Sequence, residues 1–219
     1  MRIRESTPAD RKLAGEMARL HRLSFPDYML SKMGYPFMKA IYRSYLESPE
    51  SGVIIAENDD GSLAGLLSYM DSTVNIPARV VNRRKLLFWV SALIVSLRDP
   101  SGYEKMKRFY RKCSEPHHAA HSRKHLELGS FCLYPGLRGK GTGTEMLEHV
   151  KSMTDYHTFD YVGLTTASDD NDRVNLFYLR RGFMPTGIIT LPDRRKMTVY
   201  QYSPEGVTYK AVETVSMYE

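Results

Sequence analysis
The sequence predicts an α+β fold, a sheet of short strands flanked by amphipathic helices. Three observations predict it. The N-terminal third reads strand, helix, helix, strand, strand; a strand, a glycine-rich loop and a helix succeed one another over 126–153; and a strand, a short helix and a hairpin lie near the C-terminus. With 219 residues, 42% hydrophobic and 26% charged, there is material for a sizeable core, and one domain is expected over 1–219. No repeat, low-complexity tract or linker divides it.

Residues 2–6 are the first expected strand. Thr7-Pro8-Ala9-Asp10 reads as a capping box with proline at the first helical position. Leu13, Met17 and Leu20 then give an apolar stripe, so a helix is expected to about Leu23. Residues 24–36, with Phe25, Tyr28, Met29 and Tyr35, read as a loop or broken helix, and 37–46 as a second helix. Residues 53–57 and 63–70 read as strands joined through Asn58-Asp59-Asp60-Gly61, where Asp-Gly between β-like runs signals a hairpin.

Residues 71–125 then intervene before the next strand and are expected to form a helical insertion. Within it, 82–97 is apolar nearly all round, from Leu86-Leu87-Phe88-Trp89-Val90 to Ala92-Leu93-Ile94-Val95. Arg79, Arg83, Arg84, Lys85 and Arg98 flank that run. Such a helix is expected to be buried or to contact a second copy in a homodimer; lying in a membrane interface is the less favoured alternative. Asp99-Pro100 ends it. Ser101-Gly102-Tyr103-Glu104 then caps a helix with Tyr103, Met106, Phe109, Tyr110 and Cys113 on one face. His117, His118, His121 and His125 follow, but no carboxylate or cysteine motif completes a ligand set, so no metal is expected.

Composition sets further bounds. No apolar run reaches the ~20 residues of a membrane span, and Arg2, Arg4 and Glu5 interrupt any leader-like stretch. Cys113 and Cys132 suggest neither a disulfide framework nor a zinc spacing, so a cytoplasmic setting is expected. The 31 basic and 25 acidic residues leave a net charge of +6. That fits either a mixed solvated surface or attraction of polyanionic ligands. No groove-reading helix or base-stacking motif accompanies the charge, so nucleic acid is not an expected partner.

The chain is organised around 127–144. Leu126, Leu128, Phe131, Cys132, Leu133 and Tyr134 make a strand stopped by Pro135-Gly136. Gly139, Gly141 and Gly143 follow, and Met146, Leu147, Val150 and Met153 then have helical spacing. Strand, glycine loop and helix start present free N–H groups and a positive dipole end to an anion. The P-loop pattern fails here, because Gly141 follows Lys140 where Ser or Thr is needed. The dinucleotide pattern Gly-x-Gly-x-x-Gly fails at Thr144. A third pattern, Arg/Gln-x-x-Gly-x-Gly/Ala, is met at every position of Arg138-Gly139-Lys140-Gly141-Thr142-Gly143.

That third pattern resembles the coenzyme A pyrophosphate loop of the GNAT acyltransferases. A second stretch, from Asn171 through Val174, Tyr178 and Gly182 to Phe183, resembles the later signature of the same superfamily, with Val174 where alanine is usual. The resemblance is firm over 126–183. It implies a central mixed, mostly antiparallel sheet flanked by helices, with 71–125 inserted between the third and fourth strands and 203–219 left as a tail. It also implies acetyl-coenzyme A (acetyl-CoA) as cosubstrate. The expected cofactor contacts are Arg138, Gly139, Lys140, Gly141, Thr142, Gly143 and Thr144, with Phe131, Cys132 and Leu133 on the strand and Asn171 beside the pantetheine arm. Phe25, Tyr28 and Tyr35 become acceptor-site candidates, since the segment joining the first two helices commonly lines that pocket in the superfamily.

The chemistry implied is acetyl transfer to a primary amine. An alkylammonium has a pKa of about 10.4 and must lose a proton before attack, so a carboxylate is sought near the thioester. Glu127 is the candidate, upstream of Arg138 on the central strand; its bland alternative is an ion pair with Lys124 or Arg123. Tyr178 resembles the tyrosine that protonates the leaving thiolate; otherwise it packs beside Phe177. Cys132 reads as a small core residue rather than an acyl carrier. The expected acceptor is a small molecule, an amino sugar or nucleotide-linked amino sugar by faint likeness of the insertion and of 25–37. A protein lysine or N-terminus, or a non-catalytic coenzyme-A-binding role, are the alternatives.

Overall fold
The computed structural model describes residues 1–99, 101–114, 123–191 and 194–205. Its strands are β1 (Arg2–Glu5), β2 (Ser51–Glu57), β3 (Leu63–Asp71), β4 (His125–Leu133), β5 (Tyr161–Ala167), β6 (Met184–Thr190) and β7 (Lys196–Tyr202). They form one sheet in the order β1-β2-β3-β4-β5-β7-β6. Only β4 and β5 run parallel; the other neighbours are antiparallel, as the sequence predicts. The helices are α1 (Ala14–Ser24), α2 (Met29–Lys32), α3 (Tyr35–Glu47), α4 (Ile76–Arg83), α5 (Lys85–Arg98), α6 (Gly102–Ser114), α7 (Thr142–Met153) and α8 (Asp172–Leu179).

The helix expected from Pro8 begins as a 3-10 stretch, Pro8–Leu13, before α1. Asp10 explains the tight start. Its carboxylate accepts the Thr7 N–H at 2.7 Å and also pairs with Arg4 of β1 at 2.8 Å, fastening the helix entrance to the sheet edge.

Side-chain alternation distributes the core over both faces of the sheet. Val53, Ile55 and Leu66 join α1 and α3 on one face; Ile54, Ala56, Leu67, Leu126 and Leu128 join α7 on the other. Burial on both faces is why β2 reads as an unbroken apolar run.

A local irregularity opens the sheet. Against β3, residue Leu67 lies opposite Phe131 and Tyr69 opposite Leu128, so Gly129 and Ser130 together face Ser68. The Ser130 N–H donates to Ser68 Oγ at 2.8 Å, and a Cβ at Gly129 would stand 2.7 Å from that same oxygen. Such a bulge bends its strand. Pairing between β4 and β5 covers only His125–Leu128 against Tyr161–Leu164, although both strands continue, so they part into a cleft.

The inserted segment differs from its expected form. Residues 82–97 do not make one helix: the chain breaks at Arg84 (φ −129°, ψ 51°), separating α4 from α5. Sequence reading misses α4, although Asn75 caps it by accepting the Ala78 N–H at 2.9 Å and proline stands in its first turn. Burial holds for one side of α5 only. Phe88, Ser91, Ala92 and Val95 are buried, with the Phe88 ring 6.4 Å from Phe37 and 6.2 Å from Phe109. Leu86, Trp89, Val90, Leu93, Ile94 and Leu97 are exposed on the other side. Among the described residues, no helix is long and apolar enough to cross a membrane. His117, His118 and His121 lie outside the described residues, and His125 belongs to β4.

Candidate active site
The glycine loop leaves β4 through a 3-10 turn, Pro135–Leu137. Gly139 (φ +78°) and Gly141 (φ +91°) both take the left-handed conformation that disfavours other residues. A Cβ at either would meet nothing within 4 Å, so the loop presents bare backbone to open space. Gly141 caps α7, and the amides of Gly139 to Thr144 donate to no acceptor among the described residues. Unpaired N–H groups at a helix N-terminus suit a diphosphate. The exposed Arg138 and Lys140 bring positive charge to the same rim. Gly143 differs: it faces the strand, where a Cβ would make ordinary contacts of 3.5 Å with Leu133 and Phe131. The Thr144 hydroxyl accepts from Arg181 Nε at 3.2 Å, and that guanidinium lies over the Phe177 ring, tying α7 to α8.

On β4, Leu126 and Leu128 face α7, so His125 and Glu127 stand on the opposite side, toward α1 and α3. His125 Nε2 and Glu127 Oε2 are 3.2 Å apart, and the imidazole stacks on Tyr161 at 4.6 Å. Gly163 of β5 makes room for the pair, since a Cβ there would come within 3.1 Å of the Glu127 carboxylate. Among the described residues Glu127 makes no ion pair with Lys124 or Arg123, and Lys124 reaches Asp71 instead at 3.1 Å. Burial, reinforced by the Glu127 charge, pushes the Tyr161 phenol up to about 12. Burial does the same at Tyr45, again to about 12 and with Glu127 adding. Glu127 itself keeps 28% of its side chain open to solvent.

Tyr178 stands on α8 against Phe177, Phe183 and Tyr200, and burial raises its phenol far above the ordinary range. Its hydroxyl makes no hydrogen bond among the described residues, and the residue is 7% exposed. Asn171, at the start of α8, donates to Thr166 Oγ1 and the Ala167 carbonyl, both at 3.0 Å, and so holds the helix onto the end of β5. Phe131 and Phe177 meet edge-on at 6.1 Å. The Cys132 thiol is buried and pushed up to about 12, which keeps it protonated and inert as a nucleophile.

Toward the acceptor side, Phe25 and Tyr28 pack edge to face at 5.4 Å, and the Arg195 guanidinium lies 5.4 Å from the Tyr28 ring. That contact joins the α1–α2 segment to the β6–β7 turn. Tyr35 is not part of the cluster: it packs on α1, its hydroxyl filling the space above Gly15 and its ring 5.3 Å from the Arg19 guanidinium. Among the described residues, no group of three or more His, Cys, Asp or Glu is placed to hold a metal ion. Sequence reading missed the His125–Glu127 pair, which the spacing of two along a strand signals. It also missed Arg181 and Arg195, whose contacts are long-range and leave no local signal.

A mostly antiparallel sheet that splays beside a glycine loop suited to a diphosphate is the arrangement of an acyl-coenzyme A transferase. The chain belongs to the acetyltransferase (GNAT) family, whose model matches residues 16–183, and is thus an N-acetyltransferase that uses acetyl-CoA. A search of the curated proteins gave no match. Solved structures share the fold. An N-acetyltransferase from Staphylococcus aureus Mu50 aligns at 14% identity and TM-score 0.58, over 92% of this chain and 100% of that one. Aminoglycoside 6'-acetyltransferase type Ii aligns at 14% and 0.58, over 93% and 97%. Arabidopsis thaliana NAA60, in complex with acetyl-CoA, aligns at 10% and 0.55, over 94% and 99%.

Proposed function
We propose that the protein transfers acetyl from acetyl-CoA to the primary amine of a small molecule, by direct attack while both substrates are bound. The observation that carries this reading is the Glu127 carboxylate, held 3.2 Å from His125 on the α1–α3 side of β4, one residue before the pairing of β4 with β5 ends at Leu128. Acetyl-CoA supplies a thioester activated toward amines, and the residues of the loop fit its diphosphate. Glu127 accepts the ammonium proton, directly or through a water, because only the neutral amine attacks. Tyr178 keeps its proton at neutral pH and delivers it from Oη to the departing thiolate. The inert Cys132 thiol favours direct attack over an acyl-enzyme. The Tyr28–Arg195 contact favours a covered pocket over an open peptide groove, and an amino sugar or nucleotide-linked amino sugar is the acceptor class we favour. This choice rests on the likeness of the insertion and of 25–37 and on the positive charge of the insertion, which suits a nucleotide's phosphates, since the solved neighbours share only the fold.

A thiol-release screen with amino sugars, nucleotide amino sugars, polyamines, amino acids and peptides tests the acceptor; turnover confined to peptides overturns the small-molecule reading. With the best acceptor, Glu127→Gln should lower kcat by ~10²–10⁴ and flatten the rise of rate with pH. Tyr178→Phe should lower kcat while acetyl-CoA affinity stays near parental. Parental kcat and pH profile in Glu127→Gln would pass deprotonation to another group. Parental kcat in Tyr178→Phe would reduce Tyr178 to packing.

A further inference from the structure
The outer side of α5 is a surface that acetyl transfer does not use. Leu86, Trp89, Val90, Leu93, Ile94 and Leu97 recur at spacings of three, one, three, one and three, which places them in a single stripe. Leu86 and Leu97, at its two ends, are each 79% exposed. At ~1.5 Å rise per residue the stripe is roughly 17 Å long. It is the ridge of a helix whose opposite side is already spent on Phe88, Ala92 and Val95.

Charge says what covers it. Residues 76–114 contain ten basic residues and two acidic ones, a net +8, against +6 for the whole chain. The rest of the protein is therefore slightly acidic, and the excess positive charge belongs to the segment that carries the apolar stripe. Arg83, Arg84 and Lys85 precede the stripe and Arg98 follows it. Arg83 and Arg84 also line a groove between α3 and α4 with Arg43 and Arg79. Arg43 and Arg79 are ion-paired to Glu47 and Glu50, whereas Arg83 and Arg84 have no ion-pair partner among the described residues. A second copy seated face to face would bring +8 against +8. An anionic bilayer surface meets both demands: its headgroups take the arginines and its acyl boundary takes the ridge.

We propose that the outer side of α5 docks on an anionic lipid bilayer. The helix lies along the interface with Leu86 to Leu97 inserted and the flanking arginines on lipid phosphates. This placement does not depend on the acceptor, so its failure leaves the proposed reaction untouched.

The test uses the full chain with vesicles of phosphatidylcholine alone or mixed with phosphatidylserine. Trp89 is the sole tryptophan and lies on the ridge, so its emission reports insertion directly. Flotation with the phosphatidylserine vesicles only, weakening with salt, together with a blue shift of Trp89, is the expected result. Leu93→Glu/Ile94→Glu should abolish flotation, and Arg83→Ser/Arg84→Ser should weaken it roughly tenfold or more. Circular dichroism and acetyl-CoA affinity should stay parental in both, which separates lost docking from lost fold. A parent protein that ignores anionic vesicles overturns the proposal, as does flotation unchanged in either variant. So does a dimer, seen by light scattering, that Leu93→Glu/Ile94→Glu dissolves, because it assigns the ridge to a second copy.

Discussion

The glycine loop and the inserted helices are both rich in backbone signals and positive charge, yet they carry information differently. In the loop, a single backbone position dictates a single residue. Gly139 and Gly141 sit at positive φ, so the conformation demands glycine, and the open space in front of them leaves the backbone accessible. In α5 no position dictates its residue so narrowly. Phe88 is enclosed by aromatic rings, while Leu93, of the same apolar class and five residues on, is exposed. A ligand site constrains identity atom by atom, whereas a packed helix constrains only the side that meets its neighbours.

The largest expected effect breaks the loop. Gly141→Asp forces a side chain into a left-handed conformation, at a cost of ~1–2 kcal/mol. It also sets a carboxylate against a diphosphate, worth about 4 kcal/mol at 4 Å and surface-like dielectric. Acetyl-CoA affinity measured by calorimetry should fall about a hundredfold or more in a protein that still folds. Unchanged affinity would dissociate the loop from the cosubstrate. The next effect divides the insertion against itself. Phe88→Ala should cost ~3–5 kcal/mol in denaturant unfolding, because it empties a site between α3, α5 and α6. Leu93→Ser should stay within ~0.5 kcal/mol of the parent. Equal losses would mean that the outer ridge is covered in the protein in solution.

What was legible in the sequence follows the same division. The glycine loop and the start of α7 are legible residue by residue, and Asp-Gly marks the hairpin turn. The bulge was written too, as Gly129 inside a strand, but its consequence depends on Ser68 and Tyr45, far away in sequence. Glu127 stands out as a carboxylate upstream of the loop, while its partner His125 is obscured by the histidines before it. Helix α4 carried the cap Asn75 and a proline in its first turn, which the longer apolar run downstream overshadowed. For α5 the periodicity of apolar residues was full-circle, and nothing local says which half a neighbour will cover. Arg181 on Thr144 and Arg195 on Tyr28 exist only once the strands are paired.

The smallest expected effect asks whether the two regions stand or fall together. The sheet that carries the loop and the inserted helices share α3: α1 packs on it through a buried His21–Tyr42 hydrogen bond of 2.9 Å, and Phe37 of the same helix meets Phe88 of α5. Burial lowers the His21 pKa from 6.5 to about 4. Between those values the unfolded chain binds a proton that the folded one refuses. Stability should therefore decline as pH falls from about 6.5 to about 4, and His21 should contribute no further decline below that. The shift corresponds to roughly 3 kcal/mol at most. Thermal melts across this range, followed both by Trp89 fluorescence and by far-ultraviolet circular dichroism, should move together, because Trp89 reports α5 and the dichroism reports the whole chain. His21→Gln should remove this part of the pH slope whatever it does to absolute stability. If the Trp89 melt stays flat with pH while the dichroism melt falls, the insertion unfolds on its own and the shared core around α3 does not couple it to the sheet.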